Sequence, residues 1–377
     1  MNRGNSSLPA QRARQSGVTL IELMISVTIG LLIMAGVLQL FASMIRNSID
    51  LENSNAQIEN GRFALQIIEN DLVHAGFWGG FIPQFDDLTS TDIPTDAPSA
   101  VPAPCLAFTS WNIAYKTQLV GIPVQTYDEV PSGCGAVITS KKANTDILVV
   151  RHADSCVAGA TGCEADTSAS ASPKVYFQAQ FCGNDIISSY VYVLGTTGFT
   201  LQKRSCLASD LSEKRKYVSN IYYVRDDDVL MRAEFGSGGG STWGTAQPIV
   251  EGVESFTVEL GIDSISDAGA NATYTQAITW SDPNNKNSPT NRGDGTPDGD
   301  FVRCTTAAPC SAATLTNVVS AKLYVLVRNM TATGDYTDTK TYDMGSAVLG
   351  PFNDHVKRHV YTTTARLINI SSRRQTP

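Results

Sequence analysis

An apolar run that begins directly after a glycine and keeps one carboxylate near its start limits what this 377-residue chain can fold into. The run is Val18–Phe41, and Glu22 is its one charged residue. Its 24 residues make roughly 36 Å of helix at about 1.5 Å each. That exceeds a hydrocarbon core of about 30 Å, so the run is long enough to span a bilayer. A carboxylate at that depth costs roughly 3 kcal/mol on insertion scales. Its retention therefore predicts a specific partner. The alternative is a single-pass anchor whose Glu22 snorkels to the interface. Residues 1–17 carry Arg3, Arg12 and Arg14 and no acid, which predicts a cytoplasmic N-terminus and an exported remainder. A secretory signal would have a shorter core followed by a small-residue cleavage site. Phe41-Ala42-Ser43-Met44 fits that poorly, and the small pair Ser16-Gly17 precedes the core instead.

No proline occurs between Pro9 and Pro83, which predicts one helix from about Val18 to about His74. Near Ser43 its character changes from apolar all round to amphipathic. Leu65, Ile68, Leu72 and Ala75 recur at spacings of three and four and share one face, with Ile58 and Phe63 close to it. Glu52, Glu59, Arg62, Gln66 and Asp71 are assigned to the opposite, solvated side. Gly30 and Gly36 weaken the apolar half by about 1 kcal/mol each relative to alanine. They point either to close helix packing or to local unwinding during assembly. Gly76, Gly79, Gly80 and Pro83 end the helix.

The segment Gly17-Val18-Thr19-Leu20-Ile21-Glu22-Leu23 resembles the class III leader of type IV pilins and type II secretion pseudopilins. The resemblance implies cleavage after Gly17 by a prepilin peptidase and N-methylation of Val18, where major pilins usually carry phenylalanine. Cleavage would leave an amine four residues from Glu22, and the Glu22 of one subunit could pair with the amine of a neighbour. Such a pair sets register more than it adds stability, because both charges lose hydration and either one alone is stranded. The stretch from Asn60-Gly61-Arg62-Phe63 to Ala75-Gly76-Phe77-Trp78 is similar to the same region of the PilW family of minor pilins.

Residues 77–377 are long enough to bury a sizeable core, and 42% hydrophobic content fits a folded domain. Runs rich in Val, Ile, Tyr, Phe and Thr predict strands at Ile147–Arg151, Lys174–Gln180, Tyr190–Leu194, Phe256–Ile262, Lys322–Arg328 and His359–Ile368. Ile221–Arg232 reads as a hairpin turning at Asp226–Asp228. Loops are expected at 83–104, 236–248 and 264–300. The fold class expected is α+β, type IV pilin-like: a long N-terminal helix, transmembrane then amphipathic, packed on a largely antiparallel sheet. Its parts are a leader (1–17), a transmembrane half-helix (18–41), an amphipathic half (42–76) and an exported domain (77–377). A Tyr-rich hairpin before Val250–Glu254 and a basic-flanked last strand, Arg358–Arg366, also resemble PilW-like and J-type pseudopilin chains.

All eight cysteines follow the apolar run, and an even number in an exported domain predicts disulfides. Proximity in sequence favours Cys105–Cys134, Cys156–Cys163, Cys182–Cys206 and Cys304–Cys310. A metal cluster is the rival reading, and no Cys-x-x-Cys pair supports it. The net charge of −8 becomes −11 once the three leader arginines are gone, which argues against general nucleic-acid binding. Arg373-Arg374 is too short a basic tail to alter that. Asp294, Asp298 and Asp300 lie in an Asp–Gly-rich turn that reads as a solvated turn or, alternatively, a calcium loop. No other cofactor is expected.

Four histidines give no catalytic pattern. His355 and His359 have i, i+4 spacing without the glutamate of a zinc-protease motif, and they enter a strand. His152 near Asp154 has no evident nucleophile, and His74 is read as structural or exposed. The leading expectation is a non-enzymatic minor pilin that helps initiate or cap a type IV pilus. Its expected partners are other minor and major pilins, the prepilin peptidase and an inner-membrane assembly platform. The expected location is the bacterial inner membrane, with a periplasmic C-terminal domain, and then the pilus near its tip. A J-type pseudopilin, a tip adhesin or DNA-uptake subunit, and an enzyme on a pilin-like anchor are the other readings.

Overall fold

With no proline to break it, the N-terminal helix α1 persists from Leu20 to His74. The computed structural model describes residues 17–183, 191–286 and 288–375. The leader expected at 1–17 lies outside these except for Gly17, as does the first residue of the strand expected at Tyr190–Leu194. The chain divides into two compact units, residues 1–54 and 55–377. In the first, the large apolar side chains of α1 are exposed. In the second, Ala64, Leu65, Ile68, Leu72 and, just past the helix, Ala75 are buried. Ile58 and Phe63, placed near that face by periodicity, are instead 45% and 49% exposed. The buried stripe is narrow because Gly61 lies against the ring of Tyr361; a Cβ there would come within 2.3 Å of Cδ2. Gly76, Gly79 and Gly80 all have positive φ and end the helix as expected.

After α1 come the helix α2 (Ile113–Gly121) and the strands β1 (Val124–Tyr127), β2 (Ile147–Ala153), β3 (Tyr176–Ala179) and β4 (Tyr192–Gly195). The strands β5 (Arg215–Arg225), β6 (Val229–Glu234), β7 (Gln247–Glu251) and β8 (Val253–Ile262) follow. Then come α3 (Ala312–Thr316), β9 (Val318–Arg328), β10 (Tyr342–Asp343), β11 (Val348–Leu349), β12 (Arg358–Arg366) and α4 (Ile368–Arg374). The expected hairpin is β5–β6, with Asp228 at φ 62° in its turn.

Among the described residues all strand pairings are antiparallel. Seven strands form one sheet in the order β1-β2-β5-β3-β4, with β6 on β5 and β7 on β6. Three form a second sheet, β12-β9-β8, and β10–β11 form a small hairpin. Helix and both sheets share one core, in which Ile68 and Leu72 cluster with Val150, Tyr222, Phe256, Leu323 and Val325. Asp146 ties the sheets together. Its amide donates to Phe256 O (2.8 Å), its Oδ2 accepts from Val258 N (2.9 Å), and Arg303 binds the carboxylate from the side at 2.6–3.1 Å. Burial raises the Asp146 pKa, and the hydrogen bonds from Arg303 and Val258 oppose that without reversing it. The fold is α+β: a long apolar N-terminal helix and an antiparallel β domain.

Candidate functional site

The start of α1 is a capping box, Thr19-x-x-Glu22. Thr19 N donates to Glu22 Oε2 at 3.0 Å and Thr19 Oγ1 donates to the same oxygen at 2.8 Å. In return Glu22 N donates to Thr19 Oγ1 at 3.4 Å, and Leu23 N closes the first turn on Thr19 O at 3.1 Å. Both Thr19 bonds use Oε2, which leaves Oε1 able to accept another donor. The remaining polar side chains early in the run fold back on the backbone. Ser26 Oγ donates to Glu22 O (2.6 Å), and Thr28 Oγ1 to Met24 O (3.0 Å). Those hydroxyls therefore need no partner from lipid. Apart from the adjoining helix backbone, nothing among the described residues lies within 4 Å of where a Cβ would stand on Gly30 or Gly36, so both offer room for close approach.

The second half of α1 is fastened at several levels. Gln57 Nε2 donates to Val327 O (2.8 Å) and Lys357 O (3.1 Å), and Asn60 Nδ2 to Glu251 O (3.1 Å). Asp71, expected on the solvated side, turns to the sheet. Its Oδ1 lies 2.9 Å from His152 Nε2, and its Oδ2 accepts from Asn220 Nδ2 at 3.0 Å. His152 Nδ1 lies 2.8 Å from Ala153 O. Asp154, the neighbour considered from sequence, accepts instead from Cys156 N at 2.9 Å. Burial pulls the His152 pKa down, but the Asp71 hydrogen bond and charge, with the Ala153 carbonyl, outweigh it and the net shift is upward.

The C-terminal arginines are not a solvated tail. Asn369 Nδ2 donates to Val73 O (3.0 Å) and Ala75 O (3.4 Å), and Arg373 Nη2 to Gly76 O (2.6 Å). The first bond satisfies a carbonyl of the last turn of α1, which has no intrahelical donor, and the other two hold the residues just past the helix. Arg374 is 1% exposed. Its Nε donates to Asp86 Oδ1 (2.8 Å), Nη1 to Asp263 Oδ2 (3.2 Å) and Nη2 to Thr316 O (2.8 Å), and its guanidinium lies 4.9 Å from the Tyr274 ring centre.

The eight cysteines form four disulfides: Cys105–Cys134, Cys156–Cys163, Cys182–Cys206 and Cys304–Cys310. The structure does not bring Asp294, Asp298 and Asp300 to one point. Asp294 Oδ1 accepts from Thr296 N (2.7 Å), Asp298 Oδ2 accepts from Ser264 N and Ile265 N (both 2.7 Å), and Asp300 is exposed. The buried Asp263 organises this turn by accepting from Asp294 N and Gly295 N, each at 3.0 Å. Among the described residues, no three His, Cys, Asp or Glu are arranged to hold a metal ion. The sequence reading missed Asp71–His152 and Arg374–Asp86–Asp263, whose members lie 81, 288 and 111 residues apart. No local pattern could have joined them.

A family model described as Type IV Pilus-assembly protein W matches residues 221–369, and the prokaryotic N-terminal methylation motif matches residues 12–38. Among solved structures, a type IV-like pilin from Thermus thermophilus aligns at 13% identity over 62% of this chain and 82% of that one. Its TM-score is 0.24, too low to carry an argument. A comparison with curated proteins found no match. The methylation motif and the exposed apolar helix fit a membrane-anchored pilin. With that motif over the start of α1 and the pilus-assembly match running from β5 into α4, the chain is similar to the PilW-like minor pilins of the type IV class.

Proposed function

We propose that this protein is a non-enzymatic minor pilin that helps initiate or cap a type IV pilus by packing its N-terminal helix against those of other pilins. On this reading residues 1–17 are removed by a prepilin peptidase and Val18 becomes the N-methylated terminus. The half-helix 18–41 spans the inner membrane, 42–76 links it to the exported domain, and 77–377 is periplasmic before entering the pilus near its tip. The observation that carries the reading is the exposed apolar helix that keeps Glu22 in its first turn.

The capping box gives that carboxylate a fixed direction, and Oε1 remains for the terminal amine of an adjacent subunit. In low dielectric the attraction is strong, but each charge has lost its water, so the pair acts chiefly on register. Glu22→Ala should therefore leave the amount of membrane-inserted protein unchanged and lower its recovery in sheared pili at least tenfold. Recovery equal to wild type would refute the role given to Glu22. Complete absence of the wild-type chain from pili would refute the function itself.

A further inference from the structure

Strand β12 pairs with β9 through nine consecutive residues without a register shift. The bonds just beyond its two ends fix which backbone groups face inward. Asn329 N donates to Lys357 O and Leu367 N donates to Val319 O, both at 2.9 Å. Both pairs continue the register Arg358↔Arg328, so odd-numbered residues of β12 make the hydrogen-bonded pairs with β9. The N–H and C=O groups of Val360, Thr362, Thr364 and Arg366 therefore point away from the sheet. Among the described residues, no backbone hydrogen bond reaches those groups.

Long open edges are usually blunted by a charge, a proline or a bulge. Here the central residues Val360 to Ala365 contain none of these. Thr362 and Thr364 are exposed. The border of the edge is basic on an otherwise acidic protein, with His359, Arg366 and, beside Tyr361, Arg62 of α1 all exposed. The half-exposed Ile58 lies one helical turn before Arg62, so a chain packed along this part of α1 would reach the strand.

We propose that the outer edge of β12 accepts an extended strand from a different pilin-class subunit, one with uncharged β-branched residues and a carboxylate positioned to meet Arg366. This rests on the assembly reading above. A second copy is disfavoured, because its edge carries the same cations, Arg62, His359 and Arg366, and β12 holds no carboxylate to meet them. Backbone bonds would supply the affinity, and the side chains at alternate positions the selectivity.

The probe is the acetylated and amidated hexapeptide Val-Thr-Val-Thr-Val-Asp, added at about 1 mM to the detergent-solubilised full chain. At that concentration a dissociation constant of about 0.1 mM protects a bound amide about elevenfold. Hydrogen–deuterium exchange is read by mass spectrometry on the fragment covering β12. Exchange at the outward amides should slow at least tenfold. Thr362→Pro removes one outward N–H and no bond to β9, so its melting temperature should match wild type while the slowing disappears. Thr363→Pro removes an inward N–H and should lower the melting temperature. No slowing in wild type, or equal slowing in T362P, would overturn the proposal. In cells, T362P should reach the membrane normally and fall at least tenfold in sheared pili, and unchanged incorporation would also overturn it. If the wild-type chain is itself absent from pili, the assembly reading fails, and the peptide result alone decides whether the edge binds a strand.

Discussion

Both ring nitrogens of His152 face acceptors, Asp71 Oδ1 and Ala153 O, and only the imidazolium donates to both at once. Its folded pKa is therefore raised above an unfolded value of about 6.5. The sign follows: this contribution to stability is fully present below about pH 6.5 and is lost as pH rises through the folded value. His74, Asp154, Asn220, Tyr222 and Arg232 line the same open cavity, so the ring keeps contact with water through it. His152→Gln should remove the part of the stability loss that wild type shows as pH rises above about 6.5, as read by thermal melting at a series of pH values. An identical pH profile in the variant would contradict this role. The residue scale also shows where sequence reading works. Glu22 stood out because nothing else in its surroundings is charged. Asp71 did not, because helical periodicity counts a carboxylate as solvent-facing unless a distant partner is known.

Among the elements, α1 was legible from end to end, since a proline-free, periodic segment closed by glycines allows few alternatives. Its flank was less so: periodicity set Ile58 and Phe63 near the buried face, and the close approach of Tyr361 to Gly61 narrows that face. Long strands rich in β-branched residues were also found. The missed elements are short and depend on context. β1 has four residues, and β7 exposes both its first two residues and its last. α2 and α3 depend on caps, Asn112 accepting from Tyr115 N (2.8 Å) and Ser311 from Thr314 N (3.0 Å). The last strand was expected to reach Ile368, but the chain turns into α4 after Leu367. That short helix carries Arg374 into a buried position between Asp86 and Asp263. Removing one member of such a network leaves buried charge uncompensated, at a cost of about 3–5 kcal/mol. Arg374→Met should thus destabilise the β domain by about that amount in denaturant unfolding. A loss under about 1 kcal/mol would show that α4 is not what holds this corner together.

Over the whole molecule, the disulfides are local staples. They join cysteines 29, 7, 24 and 6 residues apart, so each closes a loop. Each should stabilise by a few kcal/mol at most, mainly through the unfolded chain. Reduction should lower the melting temperature of the β domain by several degrees while its far-ultraviolet circular dichroism below the transition stays native. An unchanged melting curve on full reduction would contradict this. Proximity in sequence was enough to pair these cysteines because the loops are short. The arrangement of the two sheets was not legible, because it depends on contacts such as Asp146 with Phe256 and Arg303 that no local pattern announces. Everything proposed for the helix depends on the terminus that precedes it. The most direct measurement is the intact mass of the protein isolated from the membrane and pilus fractions. The account predicts a chain that starts at Val18 and carries one added methyl group. A chain that retains residues 1–17, or one cut beyond Phe41, would contradict it.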